Sequence, residues 1–135
     1  MSKLPLIARI ILGLIFTIFS INFFIPFLPP PEFNENAANF IGALMGSGYL
    51  FHVMKIVELS CGILLLIGFR VPLALVLLAP IILNIFLFHV FLEPSTMAMG
   101  ILILVLELYL AWNYREAYAG ILSGQTSGEE VAESA

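Results

Sequence analysis

Residues 52–60, "HVMKIVELS", place an imidazole, an amine and a carboxyl in seven positions: His52, Lys55 and Glu58. At about 100° per helical residue, these three share a sector about 120° wide with Leu59 and Gly62. Such a trio can donate and accept hydrogen bonds and move a proton. Three more polar side chains stand in similarly apolar surroundings: Asn84, His89 and Glu107. No HxxxH or HxxE spacing accompanies the histidines, so no metal site is expected. The one cysteine, Cys61, cannot form an internal disulfide and reads as a small apolar filler. GxGxxG, GxxxxGK[ST] and GxSxG are absent, and aspartate does not occur.

What this chemistry means depends on the solvent. The chain has 135 residues, 61% hydrophobic and 10% charged, with a mean hydropathy of +1.11. A soluble domain of this size needs far more charge on its surface, so membrane-spanning segments are expected. Four apolar stretches qualify, at about 4–27, 49–69, 71–92 and 97–114. The first is too long in its apolar core for a signal peptide, and "FLPPPEFN" follows it rather than a cleavage site; it reads as a retained helix. The expected fold is therefore all-α, a transmembrane four-helix bundle over residues 1–120. The small, acidic segment 121–135 is expected to be a disordered cytoplasmic tail.

Basic residues set the orientation. Lys3 and Arg9 open the first span, Arg70 separates the second and third, and Arg115 follows the fourth. The connections 28–48 and 93–96 carry no Lys or Arg, so the positive-inside rule puts both termini in the cytoplasm. The outer connection 28–48 begins with a stiff "PPPEFNEN" and continues as "AANFIGALMGSGY". There Phe40, Leu44 and Tyr49 recur at helical spacing, which predicts a short amphipathic helix on the outer surface or folded over the bundle. The lipid bilayer is the expected partner. No basic patch suits nucleic acid.

In that setting the polar residues are expensive. A charge at mid-bilayer costs about 2.5–3.5 kcal/mol on insertion scales, and each Leu or Ile returns only about 0.3–0.6. Lys55 and Glu58, three apart, are expected to pair. Glu107 has no obvious cation and is expected to be neutral, able to exchange a proton with a ligand. Asn84 lies four residues after Pro80, whose ring frees a carbonyl one turn earlier. By depth, His52 and His89 lie near the outer end, Lys55, Glu58 and Asn84 in the outer half, and Glu107 near the middle. This predicts a polar pocket in the outer half, with those six residues as its candidate ligand-binding groups.

The segment "GYLFHVMKIVELSCGILLLIGFRVPLALVLLAPIILNIFLFH" resembles the core of DoxX-like small four-span membrane proteins. The shared features are Glu58 followed by Gly62, then "LLLIGF", a basic turn, an Ala/Leu-rich third span and His89 near its end. The opening "ARIILGLIFTIFSINFF" is similar to that family's first span, with Arg9 and Gly13 in matching places; where members often have Gly and Lys near its end, this chain has Ser20 and Asn22. The resemblance covers about residues 5–116. It implies a bacterial inner membrane and, through the quinone-linked oxidoreductase subunit that gives the family its name, a role at the quinone level.

Three functions follow as expectations. The first is an accessory subunit of a quinone-linked membrane oxidoreductase, with no intrinsic cofactor and a bound quinone in the polar pocket. The second is a non-catalytic binding or assembly factor for another membrane or redox protein. The third is a small-solute or proton transporter, for which four short spans leave little room for alternating access.

Overall fold

The computed structural model describes residues 3–30 and 32–122. The expected tail at 121–135 lies outside the described residues from Ser123 onward, while Ile121 and Leu122 end a short helix. The described chain is all helical: α1 (Leu4–Phe24), α2 (Glu35–Gly46), α3 (Leu50–Ile67), α4 (Val71–Phe91), α5 (Met97–Asn113) and α6 (Ala119–Leu122). Two 3-10 turns, Pro94–Thr96 and Arg115–Tyr118, flank α5.

The boundaries follow from capping. Pro5 sits in the first turn of α1, where its missing N–H costs nothing. α1 ends at Phe24, earlier than the expected 27. There the Asn22 side chain accepts hydrogen bonds from the backbone N–H groups of Phe27 and Leu28, at 2.9 and 2.8 Å, and turns the chain out before Pro26 can continue it. α2 starts on Asn34, whose Oδ1 accepts from the Ala37 N–H at 2.9 Å, the usual role of Asn at a helix start. α3 stops at Gly68, which takes φ 73°, and Leu64 O accepts from both Gly68 and Phe69. A glycine meets that left-handed position without strain. Arg70 also has a positive φ, 50°, and together they make a tight reversal into α4. Pro80 lies inside α4, which nonetheless runs unbroken to Phe91.

Four helices are long and apolar enough to cross a membrane: α1, α3, α4, and α5 with its preceding turn. Only 22–28% of each spanning window is buried in the protein. The rest is leucine, isoleucine, valine and phenylalanine facing outward, including Ile56, Leu77, Val105 and Leu108. That much apolar surface suits lipid rather than water and makes this a multi-pass membrane protein.

Each spanning helix packs on two others: α1 on α3 and α5, and α4 on α3 and α5, while α2 leans on α3. The bundle centre is filled by Leu12, Phe16, Leu65, Leu75, Leu78, Ile82, Ile103 and Leu110. α1 and α3 touch through glycines. A Cβ added to Gly13 would lie 3.0 Å from Gly62 O, and one added to Gly62 would lie 3.1 Å from Gly13 O. This is the small-residue contact that lets membrane helices approach backbone to backbone. At the Gly68 end of the bundle, the Arg9 guanidinium lies over Gly68, near the carbonyl end of α3 where a cation is favoured.

Candidate functional site

Toward the α2 end all four spanning helices contribute to the wall of a cavity of about 570 Å³. α2 and the segment before it roof this space with Phe33, Phe40, Ile41, Leu44 and Met45. Apolar side chains make most of the wall, with aromatic rings and methionines prominent among them, including Phe16, Phe51, Met54, Phe88 and Met99. Five polar side chains reach it: Asn22, Lys55, Glu58, Asn84 and His89. A largely apolar hollow of this size with a few polar groups is the usual form of a small-molecule site.

The charged pair lies deepest on α3. Lys55 Nζ is 3.0 Å from Glu58 Oε2, as their spacing implies, and Glu58 is 3% exposed. The ammonium also lies over the Phe51 ring, 5.3 Å from its centroid. A cation satisfied at once by a carboxylate and an aromatic face is tolerable at this depth where a bare one is not. By helical rise, Glu58 sits about 12 Å from the start of α3, close to half-way through the span.

On the neighbouring wall α4 contributes Asn84 and His89. His89 Nδ1 is 3.0 Å from Thr96 Oγ1, and its ring lies against Gly100 of α5, where an added Cβ would come within 2.8 Å of His89 Cδ2. Thr96 belongs to a polar cluster in the turn between α4 and α5. Glu93, 4% exposed, accepts from the Asn34 backbone N–H at 2.8 Å and from the Ser95 hydroxyl at 2.5 Å. The Asn34 side-chain amide donates to Leu92 O. One residue thus starts α2 and ties it to the far side of the cavity. The Ser95 hydroxyl first, then the Asn34 backbone N–H, hold the Glu93 carboxyl below the usual carboxylate range. A depressed value means that the tie is intact at neutral pH and is lost only as pH falls through it.

Two of the six candidate residues lie off the cavity wall. His52 is exposed and packs against α1, with ring centroids 5.1 Å from Phe23 and 6.4 Å from Phe24. It sits about 60° around the helix from Lys55, enough to turn it toward α1. Glu107 is 6% exposed and its Oε1 has no hydrogen-bond partner among the described residues. It lies off the cavity wall, near Cys61 and Tyr118. Cys61 is a buried part of the apolar core. Among the described residues no three His, Cys, Asp or Glu side chains converge as metal ligands would.

No protein-family model, curated protein or solved structure matches the chain. The DoxX-like resemblance of residues 5–116 accordingly rests on its own motifs. Two residues of that match, Gly13 and Gly62, meet at the α1–α3 crossing, and His89 lines the cavity.

Sequence reasoning noted Asn22 only as a departure near the end of the first span and did not place it in the site, and it did not single out Asn34, Glu93 or Thr96. Asn22 stands four residues before Pro26, a signal for a capped helix end. The turn "LEPST" held a comparable clue, a carboxylate followed two positions later by a serine able to satisfy it.

Proposed function

We propose that this protein binds the head of a quinone-like aromatic amphiphile in its cavity and serves as an accessory subunit of a quinone-linked membrane oxidoreductase. The observation that carries the reading is the cavity: about 570 Å³ with a largely apolar wall, rich in aromatic rings, and five polar side chains. A quinone ring needs a flat apolar slot, and its two carbonyls need donors. Lys55, Asn84, Asn22 and His89 are the candidate donors on that wall, with Glu58 holding Lys55 in place. Long isoprenoid tails exceed the cavity, so they would remain in lipid. Electrons would pass to and from a partner protein, since no redox group is intrinsic to the reading. Glu107, buried beyond the cavity floor, is proposed as a neutral carboxyl that exchanges protons with the site.

In the same reading the protein is a four-helix bundle of the bacterial inner membrane, with both termini cytoplasmic and α2 an amphipathic roof on the periplasmic side. A reporter fused after Gly120 should read as cytoplasmic and one inserted at Asn36 as periplasmic. The reverse pattern would place the cavity on the cytoplasmic side and overturn the orientation.

Ligand content gives the functional test. Protein purified in mild detergent from quinone-containing membranes should carry quinone close to one per chain, and Asn84→Leu with Lys55→Met should lose most of it. Recovery of lipid alone, with a co-purifying membrane protein in fixed ratio, would instead favour the assembly-factor reading.

A further inference from the structure

Arg9 stands in the second turn of α1, a helix long and apolar enough to cross a membrane. Its guanidinium lies over Gly68, where an added Cβ would run into Nη1 and lie 2.9 Å from Cζ. Helical side chains lean toward the N-terminus, so Arg9 reaches from the second turn to the α3–α4 turn. There it finds no partner. Nε is buried and unpartnered, and among the described residues no carboxylate or carbonyl accepts from the rest of the group. A guanidinium carries five N–H donors in a flat fork, and leaving them unmatched beside apolar surface is costly.

The charge around this notch is one-sided. Arg70 follows Gly68 by two residues, is exposed, and lies over the Phe69 ring, 5.1 Å from its centroid. Lys3 precedes α1 at the same end of the bundle, and Arg115 follows α5 there, with Nη1 donating to Trp112 O at 2.8 Å. Tyr118 holds that segment against the start of α4 by donating to Pro72 O at 2.8 Å. Among the described residues of this end only Glu116 is acidic; it is exposed and forms no ion pair with the four cations. The surface beside the notch is apolar. Leu6 and Ile7 on α1, and Ile67 and Phe69 on either side of Gly68, are each half or more exposed.

We propose that Arg9 and Arg70, around Gly68, bind the phosphodiester headgroup of an anionic phospholipid. A guanidinium matches two phosphate oxygens at once, which would satisfy the donors that the protein leaves open. The occupant is a lipid rather than a soluble anion because Leu6, Ile7, Ile67 and Phe69 offer its acyl chains a bed beside the headgroup. It is an anionic lipid because two cations and no carboxylate frame the notch, so a headgroup bringing its own ammonium is repelled. The site lies at the opposite end of the bundle from the cavity and does not depend on what the cavity holds.

Native mass spectrometry of the full-length protein, titrated with phosphatidylglycerol or with phosphatidylcholine of the same acyl chains, tests the proposal. The first phosphatidylglycerol should bind about tenfold more tightly than the first phosphatidylcholine. Arg9→Gln should remove most of that preference, while Arg115→Gln should leave most of it in place. If Arg9→Gln is not recovered folded, Arg9→Lys keeps the charge without the fork and should bind phosphatidylglycerol several-fold more weakly than wild type. Equal binding of the two lipids by wild type would overturn the proposal. Equal losses in Arg9→Gln and Arg115→Gln would also overturn it, because they would mean diffuse attraction to the whole basic end. Displacement of the lipid by millimolar inorganic phosphate would assign the notch to a soluble anion instead. A full-length variant carrying Glu129→Gln, Glu130→Gln and Glu133→Gln examines the other anionic occupant. Tight phosphatidylglycerol binding by that variant but not by wild type would mean that the chain's own acidic segment fills the notch, and would overturn the lipid assignment.

Discussion

Lys55→Met or Glu58→Gln alone is expected to reduce the folded protein recovered from membranes several-fold, and the double variant to restore much of it. The pair is 3.0 Å apart, Glu58 is 3% exposed, and both sit on a helix whose other faces meet lipid or apolar core. Breaking a buried ion pair from one side costs about 3–5 kcal/mol because the remaining charge is left without compensation, whereas replacing both partners by neutral groups removes the penalty. The single variants need not be equal. An unpaired Glu58 can take up a proton, while an unpaired Lys55 keeps the Phe51 face at 5.3 Å and can lean into the cavity. Thermal unfolding in detergent, with membrane abundance as a second readout, closes the double-mutant cycle. Equal abundance and equal unfolding temperature in all three variants would mean that the pair is neither buried nor coupled.

Gly62→Val is expected to be comparably damaging, for a steric rather than an electrostatic reason. Its Cβ would meet Thr17 Oγ1 at 2.6 Å, Thr17 N at 3.0 Å and Gly13 O at 3.1 Å. The hydroxyl can rotate away, but the other two atoms are backbone, so α1 and α3 would have to separate. Overpacking of this kind costs about 1–3 kcal/mol, more where backbone must move. Even Gly62→Ala should lower the unfolding temperature by several degrees. Gly42 on α2 is the internal control, since nothing lies within 4 Å of a Cβ added there. Gly42→Ala should be neutral or slightly stabilising, because alanine favours the helix. Matching unfolding temperatures for Gly62→Ala and Gly42→Ala would contradict the close α1–α3 crossing.

The spanning helices were legible because length and apolar composition alone mark them, and only their ends moved. α1 stops at Phe24 rather than 27 and α3 at Ile67 rather than 69, since Asn22 and Gly68 cap them. The Lys55–Glu58 pairing was legible because it lies within one helical turn, where spacing fixes geometry. What hydropathy and spacing do not encode is the rotation of one helix against another. His52 lies against Phe23 of α1 and Glu107 lies off the cavity wall for that reason. The tie between Asn34 and Glu93 joins residues 59 apart in the chain, and neither residue stands out in its own segment. The helix at 35–46 was anticipated from the recurrence of Phe40 and Leu44, and both now line the roof.

The most direct test of the central claim is photolabelling of the full-length protein in nanodiscs with an azido-benzoquinone, followed by mass-spectrometric mapping of the modified residues. Labels are expected on cavity residues such as Met54, Phe88 and Met99, and excess unlabelled quinone should compete them away. Labels confined to outward-facing residues such as Val53, Leu108 and Trp112, and unaffected by competitor, would show a quinone dissolved in the surrounding lipid and contradict the account.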